Sequence, residues 1–205
     1  MIDDTLAGLY PAHKAALAAG YARVLAKHGL DGVYIHGGVA HARTRFDDQY
    51  WPLRPTPHLQ HWAPVAEPDA GLVVRADGTA TLLRVPVTSF WEHPFEPAGR
   101  HWEPHLAQRT VARLADQRAH LPAGRVAFVG DDLAAAATLG LEMVNPVDLL
   151  ADLDALRVTK TGYERAALAE ANRRAAPGHA AVRDACAAGA ESELDLHLAY
   201  LRATA

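Results

Sequence analysis

The residues from Phe46 to Trp62 carry the side chains with the clearest potential for chemistry. This segment, FDDQYWPLRPTPHLQHW, opens with two carboxylates and is crowded with aromatic rings and histidines. Paired carboxylates can share a proton in acid–base catalysis, but Asp47 and Asp48 are adjacent, and adjacent side chains usually point in different directions. We therefore expect one of the two to brace the loop while the other is solvated.

The twelve histidines raise the question of a zinc site. The candidates are His58, His61, His93, His101 and His105. The last two are four residues apart, yet the intervening Pro104 weakens a shared helical face. The sequence contains no His-Glu-x-x-His motif and no pair of cysteines. Scattered surface histidines are the favoured interpretation.

Two further residue types invite a functional interpretation. The tryptophans could form a ligand cage, although packing of rings against a sheet is the default; they are Trp51, Trp62, Trp91 and Trp102. Of the four, Trp91 is expected to contact a ligand. Ser192 lacks a nucleophile context such as Gly-x-Ser-x-Gly and directly precedes Glu193, so it is predicted to cap a helix.

The elements that must position these residues follow from periodicity. Three prolines between positions 52 and 57 prevent a continuous helix, so residues 46–62 are predicted to be an irregular loop. Asp77-Gly78 lies between two apolar runs and predicts a hairpin. The remaining patterns predict helices over 6–28, 133–139 and 146–156, a helix from Glu103 or Pro104 to His120, and strands over 32–35, 71–75, 79–85, 125–129 and, weakly, 141–144.

This alternation predicts an α/β fold with a mixed sheet flanked by helices over residues 1–156. Residues 157–205 are alanine-rich and helical, with a capping box at Thr161 and Glu164, a second helix near His179–Ala188, and a third that starts after Ser192. The leucines of this third helix are expected to face inward; they are Leu194, Leu198 and Leu201. The second segment therefore looks like the opening helices of an incomplete domain.

Composition excludes several function classes. A net charge of −4 over 205 residues gives no electrostatic reason to expect nucleic acid or an anionic membrane as partner. No apolar run approaches the roughly 20 residues of a membrane span. The single cysteine, Cys186, rules out an internal disulfide and indicates a reducing compartment, so a cytoplasmic location is expected. No glycine-rich phosphate loop follows a predicted strand, which disfavours a nucleotide-binding protein.

Short motifs run from one end of the chain to the other. They are Leu9-Tyr10 with His13, Leu30-Asp31-Gly32, Ile35-His36-x-Gly38, Phe46-Asp47-Asp48 with Tyr50-x-Pro52 and Pro57, Trp62-x-Pro64, Pro86-Val87 with Phe90-Trp91, Lys160-Thr161-x-Tyr163-Glu164, Gly178-His179, Ser192-Glu193-x-Asp195 and Ala199-Tyr200-Leu201. In their order and spacing these motifs resemble the bacterial Xaa-Pro dipeptidases (prolidases) and the related organophosphorus acid anhydrolases.

The resemblance implies a two-domain metallopeptidase that hydrolyses dipeptides with a C-terminal proline. Its N-terminal α/β domain would be shared with creatinases and aminopeptidase P, and its C-terminal "pita-bread" domain would hold two divalent ions, commonly Mn²⁺. All five ligands of those ions are expected beyond Ala205. The present chain would then have no metal centre and no activity of its own, and would supply dimerisation and substrate gating.

Two substrate-binding residues are implied by the same resemblance. Asp48 would reach the active site of the neighbouring subunit, near the free amine of the substrate, and Trp91 would line the pocket. The family's usual Asp-x-Trp-His turn reads Ser89-Phe90-Trp91-Glu92 here, and Gly37 replaces the usual serine after His36. The alternative is a free-standing, non-catalytic binding or assembly module.

Overall fold

The computed structural model describes residues 2–46, 48–86, 100–190 and 192–205. The α-helices are α1 Ile2–His28, α2 Pro57–Gln60, α3 Leu133–Leu139, α4 Val147–Val158, α5 Gly162–Ala187 and α6 Glu193–Thr204. The strands are β1 Gly32–His36, β2 Gly71–Arg75, β3 Ala80–Arg84, β4 Ala107–Thr110, β5 Val126–Val129 and β6 Met143–Val144. The chain divides into two compact units, residues 10–159 and residues 1–9 with 160–205.

In the larger unit, the six strands form one mixed sheet in the order β4-β3-β2-β1-β5-β6. Strand β2 runs antiparallel to both β1 and β3, while β1 with β5, β5 with β6 and β3 with β4 are parallel pairs. Every residue of β1 and β5 is buried. Central strands that are covered on both faces read as continuous apolar runs, as β5 does and as β1 does up to its last residue, His36. The predicted α/β class and mixed sheet are confirmed.

Helix α1 supplies part of the cover through side chains at helical spacing, including Tyr10, Leu17 and Tyr21, all of which are buried. It stops at Gly29, whose φ of 61° is the left-handed conformation that ends many helices. A separate apolar cluster joins Tyr34, Val73 and Leu83 of the sheet to Phe128 and to α3. No helix in the described ranges is long and apolar enough to span a bilayer.

The predicted helix from Glu103 or Pro104 to His120 is wrong. In its place, a short 3₁₀ turn at Glu103–His105 leads into β4, and a second 3₁₀ segment covers Leu114–His120. Strand β4 pairs with β3 at the edge of the sheet and exposes Arg109 and Thr110. A ladder that satisfies the open edge of β3 overrides local helix propensity here.

The predicted separate helix near His179 is also wrong, since α5 continues through Pro177 to Ala187. Gly178 does not end the helix. A Cβ at that position would come within 2.6 Å of Tyr200 and 2.7 Å of Thr204, so the glycine allows α6 to pack closely. The capping box at Thr161 and the Ser192 cap are both present.

The expectation that the α6 leucines face inward is corrected as well. Leu194, Leu198 and Leu201 are 62%, 37% and 46% exposed in this chain. Helix α6 contacts α5 through Tyr200 and Thr204, so its leucines lie on the side facing solvent.

Candidate functional site

The described residues of the 46–62 segment are irregular, as predicted, apart from the short helix α2. Its two ends have opposite environments. At the front, Phe46, Tyr50 and Trp51 are 89%, 55% and 58% exposed. At the back, Leu59 and Trp62 are buried. The segment is therefore an anchored loop whose leading part is presented to solvent.

The anchor is built on Trp62. The hydroxyl of Tyr10 donates to the Trp62 carbonyl at 2.6 Å, and the Tyr21 ring meets the indole edge-on at 5.1 Å. Burial raises the pKa of Tyr21 well above its ordinary value, so its hydroxyl stays protonated. A ring nitrogen of His13 lies 2.8 Å from the carbonyl of His61. Helix α1 thereby fixes the back of the loop.

The tip of the loop is held by backbone contacts. Ala42 and Tyr50 form an isolated antiparallel bridge, and the Trp51 amide donates to the His41 carbonyl at 2.8 Å. The Arg43 guanidinium lies 4.8 Å from the centre of the Trp51 ring, a cation–π distance. Asp48 is exposed on this tip, and Asp47 lies outside the described residues. A solvent-facing carboxylate is thus available to another molecule.

The candidate histidines are not scattered over the surface. His58 and His61 are 7% and 9% exposed; His58 lies 3.2 Å from Asp154 of α4, and the His61 ring lies 5.6 Å from that of His13 in α1. His101 and His105 are half-buried, with rings 6.0 Å and 5.8 Å from that of Tyr10. His93 lies outside the described residues. The interpretation as surface histidines is corrected for the described members, whose roles are in packing.

The tryptophans separate in the same way. Trp62 and Trp102 are buried in the core, as packing predicts, while Trp51 is exposed. Trp91 lies outside the described residues, so its expected ligand contact stays a prediction.

Within the described residues, a cluster with metal-ligand spacing consists of His36, Asp69 and Asp132, whose ligand atoms lie within 4.8 Å of one another. His36 ends β1, Asp69 precedes β2, and Asp132 follows β5. Sequence reasoning missed this group. One available signal was that β1 and β5 are buried parallel neighbours, because the carboxyl ends of such strands meet at one sheet edge.

The loop tip and this sheet edge line one cavity of about 460 Å³. Trp51, Pro52 and Arg54 line it from the loop, and Asp131 and Asp132 line it from the turn after β5. An aromatic ring, a guanidinium and two carboxylates around one space can bind a small polar molecule.

Comparison with known proteins identifies the family. The family model for "Xaa-Pro dipeptidase, N-terminal domain" matches residues 8–154. The chain belongs to this family.

Relatives support the same assignment over nearly the whole chain. The Xaa-Pro dipeptidase of Edwardsiella ictaluri is 36% identical over 207 aligned residues, covering 98% of this chain and 46% of the relative. That of Shewanella pealeana is 32% identical, again over 98% of this chain and 46% of the relative. The chain thus spans about half the length of the Xaa-Pro dipeptidases it matches.

Solved structures agree on the fold. Escherichia coli aminopeptidase P in its low-pH form superposes with a TM-score of 0.63 at 16% identity, covering 92% of this chain and 49% of that one. A zinc-substituted form with product gives a TM-score of 0.60 at 18% identity, covering 96% and 49%. At this identity the likeness shows that the Xaa-Pro dipeptidase N-terminal domain and aminopeptidase P share an α/β fold.

Proposed function

We propose that this chain is the N-terminal part of an Xaa-Pro dipeptidase, a hydrolase for dipeptides with a C-terminal proline. The observation that carries the proposal is 36% identity to such an enzyme along 98% of the chain. Residues 1–156 form the N-terminal domain in this proposal, and residues 157–205 form the linker and opening helices of the catalytic domain. In this proposal the two divalent ions, commonly Mn²⁺ in the family, would be held by residues of the catalytic domain, and they would supply the activated water for hydrolysis.

The task of this chain in that enzyme is to gate the substrate of a partner subunit. Asp48 is exposed on a loop tip whose back is anchored through Trp62, so its carboxylate is accessible to another molecule. A carboxylate that meets the free ammonium of a dipeptide selects it over blocked or longer peptides. Trp91 lines the same pocket in this proposal.

Self-association follows from the same assignment. The leucines of α6 and the aromatic residues of the loop tip leave apolar surface exposed, which supports a homodimer. The single cysteine supports a reducing, cytoplasmic location.

The test compares free and blocked substrates in a protein extended to include the catalytic domain. We expect Asp48→Ala to lower kcat/KM for Ala-Pro by about 10- to 100-fold, since hydrogen bonds to charged groups contribute about 1.5–3 kcal/mol. Turnover of N-acetyl-Ala-Pro and the bound metal content should be unchanged. Asp148→Asn, an exposed carboxylate on α4, is the matched control.

Two results would contradict the proposal. Equal loss for free and blocked substrates would remove the gating role of Asp48. Mn²⁺-dependent turnover by the purified 205-residue chain would show that catalysis does not require the catalytic domain, contrary to the proposal. The alternative, a non-catalytic binding or assembly module, predicts no dipeptidase activity from any longer product of the gene.

A further inference from the structure

His36 is a histidine that the proposed gating role does not use. Its side chain is fully buried, and neither ring nitrogen has a hydrogen-bond partner among the described residues. Leaving a buried polar group unsatisfied costs about 1–3 kcal/mol, so such a nitrogen calls for a ligand. The groups that surround the His36 ring determine which ligand it can take.

Two carboxylates approach the imidazole. The Nε2 atom of His36 lies 3.3 Å from Oδ1 of Asp69, but without hydrogen-bond geometry. Asp132 completes the group, with all three ligand atoms within 4.8 Å of one another. One oxygen of Asp132, Oδ1, accepts from the amides of Ala134 and Ala135 and so fixes the carboxylate in place.

The spacing fits a metal ion better than an ion pair. Bonds of about 2.0–2.1 Å in a tetrahedral site separate neighbouring ligand atoms by about 3.3 Å, which is the His36–Asp69 separation. All three ligand atoms lie within 4.8 Å of one another, so the third is at most about 1.5 Å from that tetrahedral spacing. Two carboxylates and one neutral imidazole also balance the charge of a divalent cation.

The imidazole is held rigidly. Its ring packs beside those of Tyr34 and Phe128, with centroids 6.3 Å and 6.0 Å away and interplanar angles of 23° and 28°. The backbone of Gly130 passes so close that a Cβ there would come within 2.9 Å of the His36 Cβ. A pre-positioned ring reduces the ordering that metal binding would otherwise require.

We propose that His36, Asp69 and Asp132 bind one divalent metal ion of the class that accepts imidazole and carboxylate ligands, such as Zn²⁺ or Mn²⁺. Imidazole with carboxylates suits these ions. Three protein ligands leave at least one coordination position open, and Asp132 also lines the cavity beneath Trp51. Because Asp132 lines the cavity, a water or an anionic group of a molecule bound there could occupy that open position.

The test is metal binding by the purified 205-residue chain. Calorimetry with Zn²⁺ or Mn²⁺ should give one ion per chain, and the Mn²⁺ form should show ¹⁴N coupling from one imidazole in pulsed EPR. Asp132→Asn and His36→Gln should each weaken binding by at least about tenfold, and His36→Gln should abolish the nitrogen coupling. His197→Gln, an exposed histidine on α6, is the matched control and should bind as the parent does.

Circular dichroism shows whether a variant that does not bind metal is still folded. If His36→Gln does not fold, Asp132→Asn alone tests the site. Thermal unfolding gives a second readout, because an ion that binds only the folded state raises the midpoint. The parent should gain stability with added Zn²⁺, and Asp132→Asn should not. Absence of a one-to-one complex, or equal binding by parent and both site variants, would overturn the proposal.

Discussion

The carbonyl of Asp69 accepts a hydrogen bond from Nε2 of Gln117 at 2.7 Å, and the same amide accepts from the Tyr34 hydroxyl at 2.7 Å. Gln117 is fully buried, although glutamine is usually exposed. Asp69 has a φ of 56°, a conformation that few residues other than glycine adopt readily. The buried amide thus ties an unfavourable backbone turn to the central strand β1, and it does so beside His36.

Replacing Gln117 with leucine should lower the free energy of unfolding by about 2–3 kcal/mol. The change removes the acceptor of the Tyr34 hydroxyl and the donor to the Asp69 carbonyl, and each buried unsatisfied group costs about 1–3 kcal/mol. Burial raises the pKa of Tyr34, so the hydroxyl remains a donor that needs a partner. Urea denaturation with an unchanged m-value measures the loss.

Tyr34→Phe provides the control for that prediction. The double variant should be less destabilised than the sum of the two single variants, because the same hydrogen bond is counted in both. Gln60→Ala, an exposed amide in α2, should change stability by less than about 0.5 kcal/mol. Additive losses at Gln117 and Tyr34 would show that the two groups do not interact.

Gly71 should not tolerate a methyl group. A Cβ there would lie 2.3 Å from both the Gln117 Oε1 and the Tyr34 hydroxyl, so Gly71→Ala is expected to destabilise by about 1–3 kcal/mol or more. Gly8→Ala is the matched control, since a methyl group at Gly8 in α1 would meet nothing within 4 Å. That change should stabilise by about 0.5–1 kcal/mol, because alanine is the better helix former. Thermal unfolding should therefore move in opposite directions for the two variants.

These buried contacts also mark where sequence reasoning succeeds and where it stops. Strand β1 and the β2–β3 hairpin are predictable, because a continuous apolar run and an Asp-Gly turn are local signals. Strand β4 is not, since its polar residues become a strand only by pairing with β3. The predicted separate helix near His179–Ala188 is wrong, because local sequence does not reveal that α5 continues through this region and packs closely against Tyr200 at Gly178.

The residues of the candidate site also differ in how far they can be predicted from the sequence. The irregular loop of residues 46–62 could be predicted from its prolines. Asp48 is singled out because the sequence around it resembles a family motif. The His36, Asp69 and Asp132 group depends on the strand order and on the left-handed conformation of Asp69. Neither can be predicted from a short stretch of sequence. The burial of His58 and His61 likewise comes from contacts with α4 and α1, which are distant in sequence, rather than from their own sequence context.

The ion pair of Glu67 and Arg84 should contribute far more to stability than an exposed pair. Glu67 is 6% exposed, and both of its oxygens accept from the Arg84 guanidinium, one of them from Nε at 2.9 Å. The hydrogen bonds to Glu67 raise the pKa of Arg84. Glu67→Ala leaves a half-buried guanidinium without its carboxylate partner, which should cost about 2 kcal/mol.

Asp116→Ala is the comparison, because it removes the exposed partner of Arg113 in a pair with one hydrogen bond of 3.2 Å. Surface pairs contribute about 0–1 kcal/mol. Chemical denaturation of both variants gives the difference directly. A loss below about 1 kcal/mol for Glu67→Ala would mean that the Glu67 pair behaves like a surface pair.

His58 should make the protein less stable as the solution becomes mildly acidic. Burial lowers the pKa of His58 from its ordinary 6.5, and the nearby Asp154, 3.2 Å away, only partly opposes this. The unfolded chain therefore binds a proton that the folded chain resists, so the contribution of neutral His58 is present above about pH 6.5 and is lost as pH falls towards the folded-state value. Urea denaturation between pH 5 and pH 7.5 should show this slope, and His58→Gln should reduce it. Asp154→Asn should lower the pKa of His58 further and steepen the slope, which NMR titration of the imidazole can follow; a His58 pKa above 6.5 in the folded protein would contradict the assignment.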